Sequence, residues 1–335
     1  MEHRRLGSTG LRVSSLCFGT MSFGDMANPG TCASLYRRAR EAGIDVFDCA
    51  NVYSAGRAEE ILGKLMAAER QHVVVTTKVG FPTGDGPNDR GLSRKHVLQS
   101  VEDSLRRLHT DRVEVLFVHT VDPATPVEET LRALDLLVRQ GKVLYLGVSN
   151  WAAWQIATAL GVSRCEGLAA FSCVQPMYNL VKRQAEVEIL PLARAMDLGV
   201  LSYSPLGGGL LSGKYGAGKA PSGGRLIDNA MYAARYGDEG AFRGADALGQ
   251  FANELQVHPA TLAVAWVAAH PAVTAPILGA RNVEQLEPAL AAAEFPMTGE
   301  LYAKLAALTP EPPPPTDRSE ERRGVAYGGS AEKYK

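Results

Sequence analysis

Residues 73–80 have the sequence VVVTTKVG, a run of β-branched side chains with a lysine near its carboxyl end. A continuous apolar run of this length is typical of a strand buried on both faces of a parallel sheet. Two neighbouring runs have the same character, DVFDCA at 45–50 and VEVLFVH at 113–119. Because parallel strands end on one face of a sheet, their polar residues are predicted to meet there. These residues are Asp48, Lys78 and His119.

Helical and strand patterns alternate along the chain. Eight strands are predicted, at 16–20, 45–50, 73–80, 113–119, 143–149, 171–178, 199–204 and 274–278. The helices predicted with them lie at 32–42, 58–68, 93–109, 126–140, 152–162, 183–198, 245–256, 259–269 and 283–293. Regular alternation indicates an α/β fold with right-handed crossovers. Eight units favour a closed (β/α)8 (TIM) barrel with extra C-terminal helices.

Three segments do not fit this alternation of strands and helices. Residues 4–20 contain turn glycines between short β-rich runs, which predicts an N-terminal β-hairpin that plugs the barrel. The glycine-rich stretch 216–244 is longer than a connection requires and is predicted to be a functional loop or disordered. We therefore predict one barrel domain at 1–310, followed at 311–335 by a Pro-rich, polar tail that is at least partly disordered.

Composition narrows the class of partner. A hydrophobic content of 46% indicates a packed core, and a net charge of −1 gives no electrostatic reason to expect nucleic acid or a membrane. A small molecule is the expected partner, and the oligomeric state is left open. The N-terminus MEHRRLG lacks the apolar core of a signal peptide, so a cytoplasmic location is expected. The five cysteines have neither CxxC spacing nor an even count, which argues against a zinc knuckle and against a disulfide framework.

The polar residues at the strand ends, Asp48, Lys78 and His119, are together with Tyr53 of the types that form a proton-donating site. Carbonyl reduction needs a proton at oxygen, and an ordinary tyrosine, with a pKa near 10, gives one up reluctantly at pH 7. The ammonium of Lys78 would lower that pKa, and Asp48 would keep the lysine charged. His119 would bind the carbonyl oxygen or share the proton. Taken singly, each of these residues is more typical of a structural role. Their joint placement on three strand ends favours function more, but spacing alone does not decide between the two.

Several segments carry a resemblance to a known family. The run DCANVY at 48–53 resembles the D-x-A-x-x-Y segment of the aldo-keto reductases, and Thr77-Lys78 resembles their strand-end lysine. The similarity extends from Arg4 to about Leu290. Further matching segments are Val118-His119 with Asp122, Gly147–Asn150, Gln175 with Tyr178-Asn179, and Tyr203–Leu206.

The resemblance implies NADPH-dependent reduction of an aldehyde or ketone on a (β/α)8 barrel, without metal or flavin. It makes Tyr53 the general acid, tuned by Lys78 and Asp48, and gives His119 the task of orienting the carbonyl. It also implies a set of cofactor-binding residues. These are Ser149, Asn150 and Gln175 at the carboxamide, Tyr203 stacked on the nicotinamide ring, Leu206, Gly207 and Lys214 at the pyrophosphate, and Gly279, Arg281 and Gln285 at the adenosine phosphate. Ser204, beside Tyr203, is also implied to bind the cofactor.

The adenosine end contains both a supporting feature and a departure from the family pattern. The planar guanidinium of Arg281 suits a 2′-phosphate, which favours NADPH over NADH. Family members commonly have Glu-Asn where this chain has Pro288-Ala289, whose side chains form no hydrogen bonds. The resemblance therefore implies either weaker cofactor binding or greater reliance on the phosphate contacts.

Two alternative functions stay open. Lys78 at a strand end would also suit a Schiff-base aldolase, and a reductase scaffold could serve as an NADPH-binding regulatory subunit. A phosphate-binding loop is disfavoured because Tyr215 replaces the required Ser or Thr, and no GxGxxG supports a Rossmann domain. The substrate pocket is predicted from position to include Phe23, Met26, Phe81, Trp151 and the stretch 216–244.

Overall fold

The computed structural model describes residues 1–215 and 224–316. The strands are β1 His3–Arg5, β2 Arg12–Ser14, β3 Cys17–Gly19, β4 Val46–Asp48, β5 Val74–Val79, β6 Val113–Val118, β7 Val143–Ser149, β8 Phe171–Gln175, β9 Gly199–Ser202 and β10 Ala275–Leu278. The helices are α1 Pro29–Glu41, α2 Arg57–Met66, α3 Arg94–Arg107, α4 Val127–Arg139, α5 Ala153–Glu166, α6 Ile189–Ala195, α7 Arg225–Asp228, α8 Ala230–Tyr236, α9 Glu239–Glu254, α10 Pro259–Ala269, α11 Val283–Leu290 and α12 Gly299–Ala306.

Strands β3 to β10 form a closed barrel in which every neighbouring pair is parallel. The (β/α)8 prediction is therefore confirmed, and each barrel strand lies within its predicted segment. The largest difference is in β8, which ends at Gln175 although the prediction reached residue 178. Pro176 follows it and has no N–H to donate to the ladder, which explains the early end.

The predicted N-terminal hairpin closes the barrel at the end where its strands begin. Strands β1 and β2 pair antiparallel, and Leu6 in the turn between them is fully buried. Gly7 has a φ of +56°, and a Cβ there would lie 2.3 Å from the backbone nitrogen of Gly199, at the start of β9. The hairpin therefore seals the amino-terminal ends of the strands. Leu6 belongs to an inner cluster made by Val13, Cys17, Val46, Val115, Phe117, Cys173, Leu201, Ala275 and Ile277.

Two predictions about the helices were wrong. The part of the stretch 216–244 that the structure describes is mainly helical, because α7 and α8 lie within it and α9 begins at Glu239 instead of 245. Gly244, the last residue of that stretch, lies within α9, and a Cβ there would come within 2.9 Å of side chains on two other segments. This glycine therefore serves close packing within a helix. The helix predicted at 183–198 is reduced to α6, preceded by a short 3-10 turn.

Two predicted segments, the C-terminal tail and the loop 216–244, lie partly outside the residues that the structure describes. Residues 311–316 contain neither helix nor strand, and residues 317–335 of the predicted tail lie outside the described residues, as do 216–223 of the predicted loop. Within the described ranges, no helix combines the length and apolar character needed to cross a membrane.

Replacing Leu6, the buried residue of the hairpin that closes the barrel, should lower the stability of the whole barrel. We expect Leu6→Ala to lower the free energy of unfolding by about 2–5 kcal/mol, because it removes buried methyl groups and leaves a cavity. Chemical denaturation followed by circular dichroism measures this change. The matched control is Leu255→Ala, at a side chain that is 41% exposed, and it should cost far less. Equal losses for the two variants would show that the plug does not support the barrel.

Candidate active site

The structure brings together the four side chains predicted to form the proton-donating site. Asp48 ends β4, Lys78 lies near the end of β5, and His119 follows β6. Tyr53 begins a 3-10 turn just beyond β4. The Lys78 Nζ atom donates to Asp48 Oδ2 at 2.6 Å and lies 3.2 Å from the Tyr53 hydroxyl. The His119 ring meets the Tyr53 ring edge-on, with 6.1 Å between the centroids.

The turn after Tyr53 has an unusual backbone. Ser54 and Ala55 both have positive φ, 50° and 54°, where glycine is the usual residue. The Ser54 hydroxyl donates to the Phe23 carbonyl at 2.6 Å and holds the turn against the loop after β3. The strained turn thus fixes the point from which the Tyr53 side chain projects.

Asp48 anchors the charged centre from several sides. Its Oδ1 atom accepts from the Thr76 hydroxyl at 2.7 Å and from the Gln175 side-chain amide at 2.8 Å, while Oδ2 accepts from Lys78. Lys78 also donates to the Cys49 carbonyl at 2.7 Å. Burial by itself lowers the pKa of Lys78, but the charge of Asp48 and the contact with Tyr53 outweigh burial and raise that pKa above its ordinary value. The lysine is therefore held as an ammonium.

The pKa of the Tyr53 hydroxyl is shifted upward, whereas the sequence predicts a downward shift. Burial raises its pKa, and the Lys78 ammonium lowers it by less, so the net pKa is about 12. The lysine contributes in the predicted direction, but desolvation of the phenolate dominates. Tyr53 consequently keeps its proton throughout the neutral pH range, ready to donate it.

His119 is neutral in this environment. Burial, with a smaller contribution from Lys78, lowers its pKa to about 2. Its ring packs against Phe81 at 4.5 Å between centroids, and its Nδ1 atom has no hydrogen-bond partner among the described residues. A neutral imidazole keeps one N–H to donate to an oxygen bound beside Tyr53.

A cavity of about 670 Å³ opens above these residues, at the carboxyl ends of the barrel strands. Lys214 and Arg281 on its wall supply positive charge of the kind that binds phosphate. Most of the predicted cofactor residues line it: Ser149, Asn150, Tyr203, Ser204, Leu206, Lys214, Gly279, Arg281 and Gln285.

Gln175 and Gly207 are not on the cavity wall. The Gln175 side chain is 3% exposed and donates to Asp48, while its backbone carbonyl accepts from the Ser149 hydroxyl at 2.8 Å. Gln175 thus lies behind the wall and orients Asp48, and its predicted contact with a carboxamide stays a prediction. Gly207 is buried at the start of the 3-10 helix Gly207–Ser212.

The cavity also has lining residues that the sequence analysis missed. Gly208, Gly209 and Ser212 flank predicted positions, so their neighbours were a usable signal. Others come from the start of α10 and from the loop after β3, and no sequence pattern pointed to them. These are Met21, Ser22, His258 and Ala260.

Of the residues predicted for the substrate pocket, Phe81 lines the cavity, and so do Met231, Tyr232 and Arg235 from the stretch 216–244. Phe23 is fully buried beside Phe18, and Trp151 packs edge-on against Phe171. Both are therefore core residues. Met26 is not on the cavity wall either. No cluster of three or more potential metal ligands occurs in the ranges that the structure describes.

The chain is similar in sequence to a known family and to several known proteins. The model of the aldo/keto reductase family matches residues 15–309. A Bacillus subtilis (strain 168) protein named "Uncharacterized oxidoreductase YrpG" is 40% identical over 323 residues, 93% of this chain and 97% of that protein.

Two plant proteins are comparably similar, and both are named "Probable voltage-gated potassium channel subunit beta". The one from Oryza sativa subsp. japonica is 39% identical over 95% of this chain and 99% of its own length. The one from Arabidopsis thaliana is 39% identical over 86% and 89%. With a closed (β/α)8 barrel, a family match that spans most of its length, and relatives that include an oxidoreductase, the chain belongs to the aldo/keto reductase family.

Proposed function

We propose that this protein reduces an aldehyde or ketone to an alcohol with NADPH, by direct hydride transfer and proton donation from Tyr53. The observation that carries the proposal is the position of Lys78, whose ammonium contacts both the Asp48 carboxylate and the Tyr53 hydroxyl. That contact gives the developing phenolate a positive partner that is itself fully buried. A structural ion pair alone would not need the tyrosine.

The residues on the cavity wall fit a nicotinamide dinucleotide. Hydroxyl and amide groups from Ser149 and Asn150 lie at the Tyr53 end, and the Tyr203 hydroxyl donates to Asn150 Oδ1 at 2.8 Å. The cations Lys214 and Arg281 supply the charge that phosphates need. When bound, the reduced nicotinamide supplies a hydride to the carbonyl carbon.

The chain's own side chains supply the rest of the chemistry. Tyr53 transfers its hydroxyl proton to the carbonyl oxygen, and Lys78 stabilises the phenolate that is left. Asp48 keeps Lys78 charged, and the neutral His119 donates a hydrogen bond to the carbonyl oxygen and orients it. The reverse oxidation uses the same groups, with Tyr53 receiving the proton.

The two alternative functions are supported unequally. A Schiff-base lysine must be neutral to attack a carbonyl, whereas the raised pKa of Lys78 favours its ammonium form. The names of the two plant relatives favour a regulatory subunit as the second candidate. Tight NADPH binding without turnover across a panel of aldehydes and ketones would support that candidate over the reductase.

Tyr53→Phe tests the proposed general acid. We expect kcat for aldehyde reduction to fall about 10²- to 10⁴-fold, because the phenyl ring has no proton to give. The Kd for NADPH, measured by fluorescence titration, should stay nearly unchanged. In the wild-type enzyme the rate should be flat through neutral pH and fall only as the pH approaches the Tyr53 pKa of about 12, where the donor loses its proton. Normal turnover by the variant would rule out this mechanism.

Lys78→Met tests the electrostatic partner. The rate should fall about 10²- to 10³-fold, since the phenolate loses its cation. The variant also leaves Asp48 buried and unpaired, at a cost to stability of about 3–5 kcal/mol. The double variant Asp48→Asn/Lys78→Met removes both charges and should recover much of that stability while staying slow. A fast, stable double variant would show that turnover does not need the ion pair and would rule out the role proposed for Lys78.

Arg281→Leu tests the choice of cofactor. We expect the Kd for NADPH to rise about 10- to 100-fold, because a charge-assisted hydrogen bond to the 2′-phosphate is lost. The Kd for NADH, which lacks that phosphate, should not change. Arg132→Leu, at an exposed arginine on α4 paired with Glu166, is the matched control. Equal weakening for both cofactors would mean that Arg281 does not recognise the 2′-phosphate.

A further inference from the structure

The short helix α8 forms one side of the cavity. Met231, Tyr232 and Arg235 all contribute to the cavity wall. A Cβ on Gly208 would come within 2.6 Å of the Tyr232 ring, so that ring lies directly against the segment after β9. The Tyr232 hydroxyl also lies 3.9 Å from the sulfur of Met21, in the loop after β3. These contacts hold α8 against two loops at the cavity mouth.

Helix α8 places Arg235 on the wall of the same cavity that Tyr53 and His119 line. Its guanidinium carbon lies 5.5 Å from the centroid of the Tyr232 ring, a cation–π contact. Burial raises the pKa of Tyr203 to about 12, and Arg235 is the strongest of the charges that oppose this rise, ahead of Lys78. The Tyr203 hydroxyl in turn bonds to Asn150, whose side-chain amide donates to the His119 carbonyl at 2.9 Å.

The guanidinium of Arg235 has no carboxylate partner in residues 1–215 and 224–316. Asp48 and Glu284 are the acidic residues among those that line the cavity. Asp48 is held by Lys78, and Glu284 lies in the first turn of α11, on the segment that carries Arg281. A partly buried arginine on the wall of the cavity that Tyr53 also lines thus has N–H donors available to a group that enters the cavity.

We infer that the carbonyl substrate carries a carboxylate group, which Arg235 binds while the carbonyl lies beside Tyr53. The inference rests on the proposed reductase function. A planar guanidinium matches a carboxylate with two parallel hydrogen bonds, and stacking on Tyr232 limits the orientations that the fork can take. Arg235 is therefore a specificity residue, and the family's general carbonyl chemistry does not require it.

Matched pairs of substrates test this inference. The ortho, meta and para carboxybenzaldehydes are compared with their methyl esters, which have the same aldehyde without the charge. We expect the wild-type ratio of kcat/KM, acid over ester, to favour the acid for at least one isomer. In Arg235→Leu that ratio should fall about 10- to 100-fold, through KM for the acid. Arg235→Lys should restore it in part, because a lysine keeps the charge but loses the fork.

Arg243→Leu is the matched control, since Arg243 is exposed on α9 and pairs with Glu239. It should leave the ratio unchanged. The Kd for NADPH distinguishes a substrate carboxylate from a cofactor phosphate as the group that Arg235 binds. If Arg235→Leu weakens NADPH binding and leaves the acid-to-ester ratio unchanged, Arg235 binds the cofactor and the inference is wrong. An unchanged ratio with unchanged NADPH binding also overturns it.

A wild-type protein that reduces no aldehyde would contradict the proposed function, and binding then tests Arg235 by itself. Benzoate and benzamide are titrated against the complex with NADP⁺. Tighter binding of benzoate that is lost in Arg235→Leu supports the carboxylate site. Equal binding of the two compounds by the wild-type protein overturns it.

Discussion

Lys78 lies inside the barrel with none of its side chain exposed, and an ammonium in that position costs several kcal/mol unless other groups compensate for it. The compensation comes from Asp48, from the Cys49 carbonyl and from the Tyr53 hydroxyl. Asp48 is itself held by β5 and β8, through Thr76 and Gln175. One buried charge therefore ties three strands and the turn that carries Tyr53 together. Removing any member of this network leaves another polar group unsatisfied, and the carboxyl face of the barrel depends on that balance.

The barrel could be predicted from the sequence because its information is local and repeated. Each strand is a short run of β-branched and apolar residues, and each is followed by a helical pattern that forces a parallel connection. The convergence of Asp48, Lys78 and His119 follows from that topology alone, since parallel strands end on one face. Family resemblance then supplied the cofactor segments, most of which do line the cavity. What could be predicted was set by strand position and by motifs that are contiguous in the chain.

The remaining features depend on contacts between distant segments, which no local pattern contains. Helix α8 was missed because its stretch is rich in glycine, yet packing against Gly208 makes it a wall of the cavity. Gln175 matched a family segment, but its side chain is taken by Asp48 instead of facing the cavity. The Tyr53 pKa was expected to fall, since the charge of Lys78 can be inferred from sequence whereas the depth of burial cannot.

The two ends of the barrel have different roles, because the hairpin closes one end and the cavity opens at the other. Leu6 and the hairpin close the amino-terminal end of the barrel, whereas Asp48, Tyr53 and the cavity lie at the other end. Segments such as α8 are additions to the mouth and take no part in the sealed floor. Sequence change at the mouth can therefore redirect the protein to new substrates while the floor preserves its fold. For an engineer, the short helix at 230–236 is the segment to randomise, and the hairpin at 3–14 is the one to leave intact.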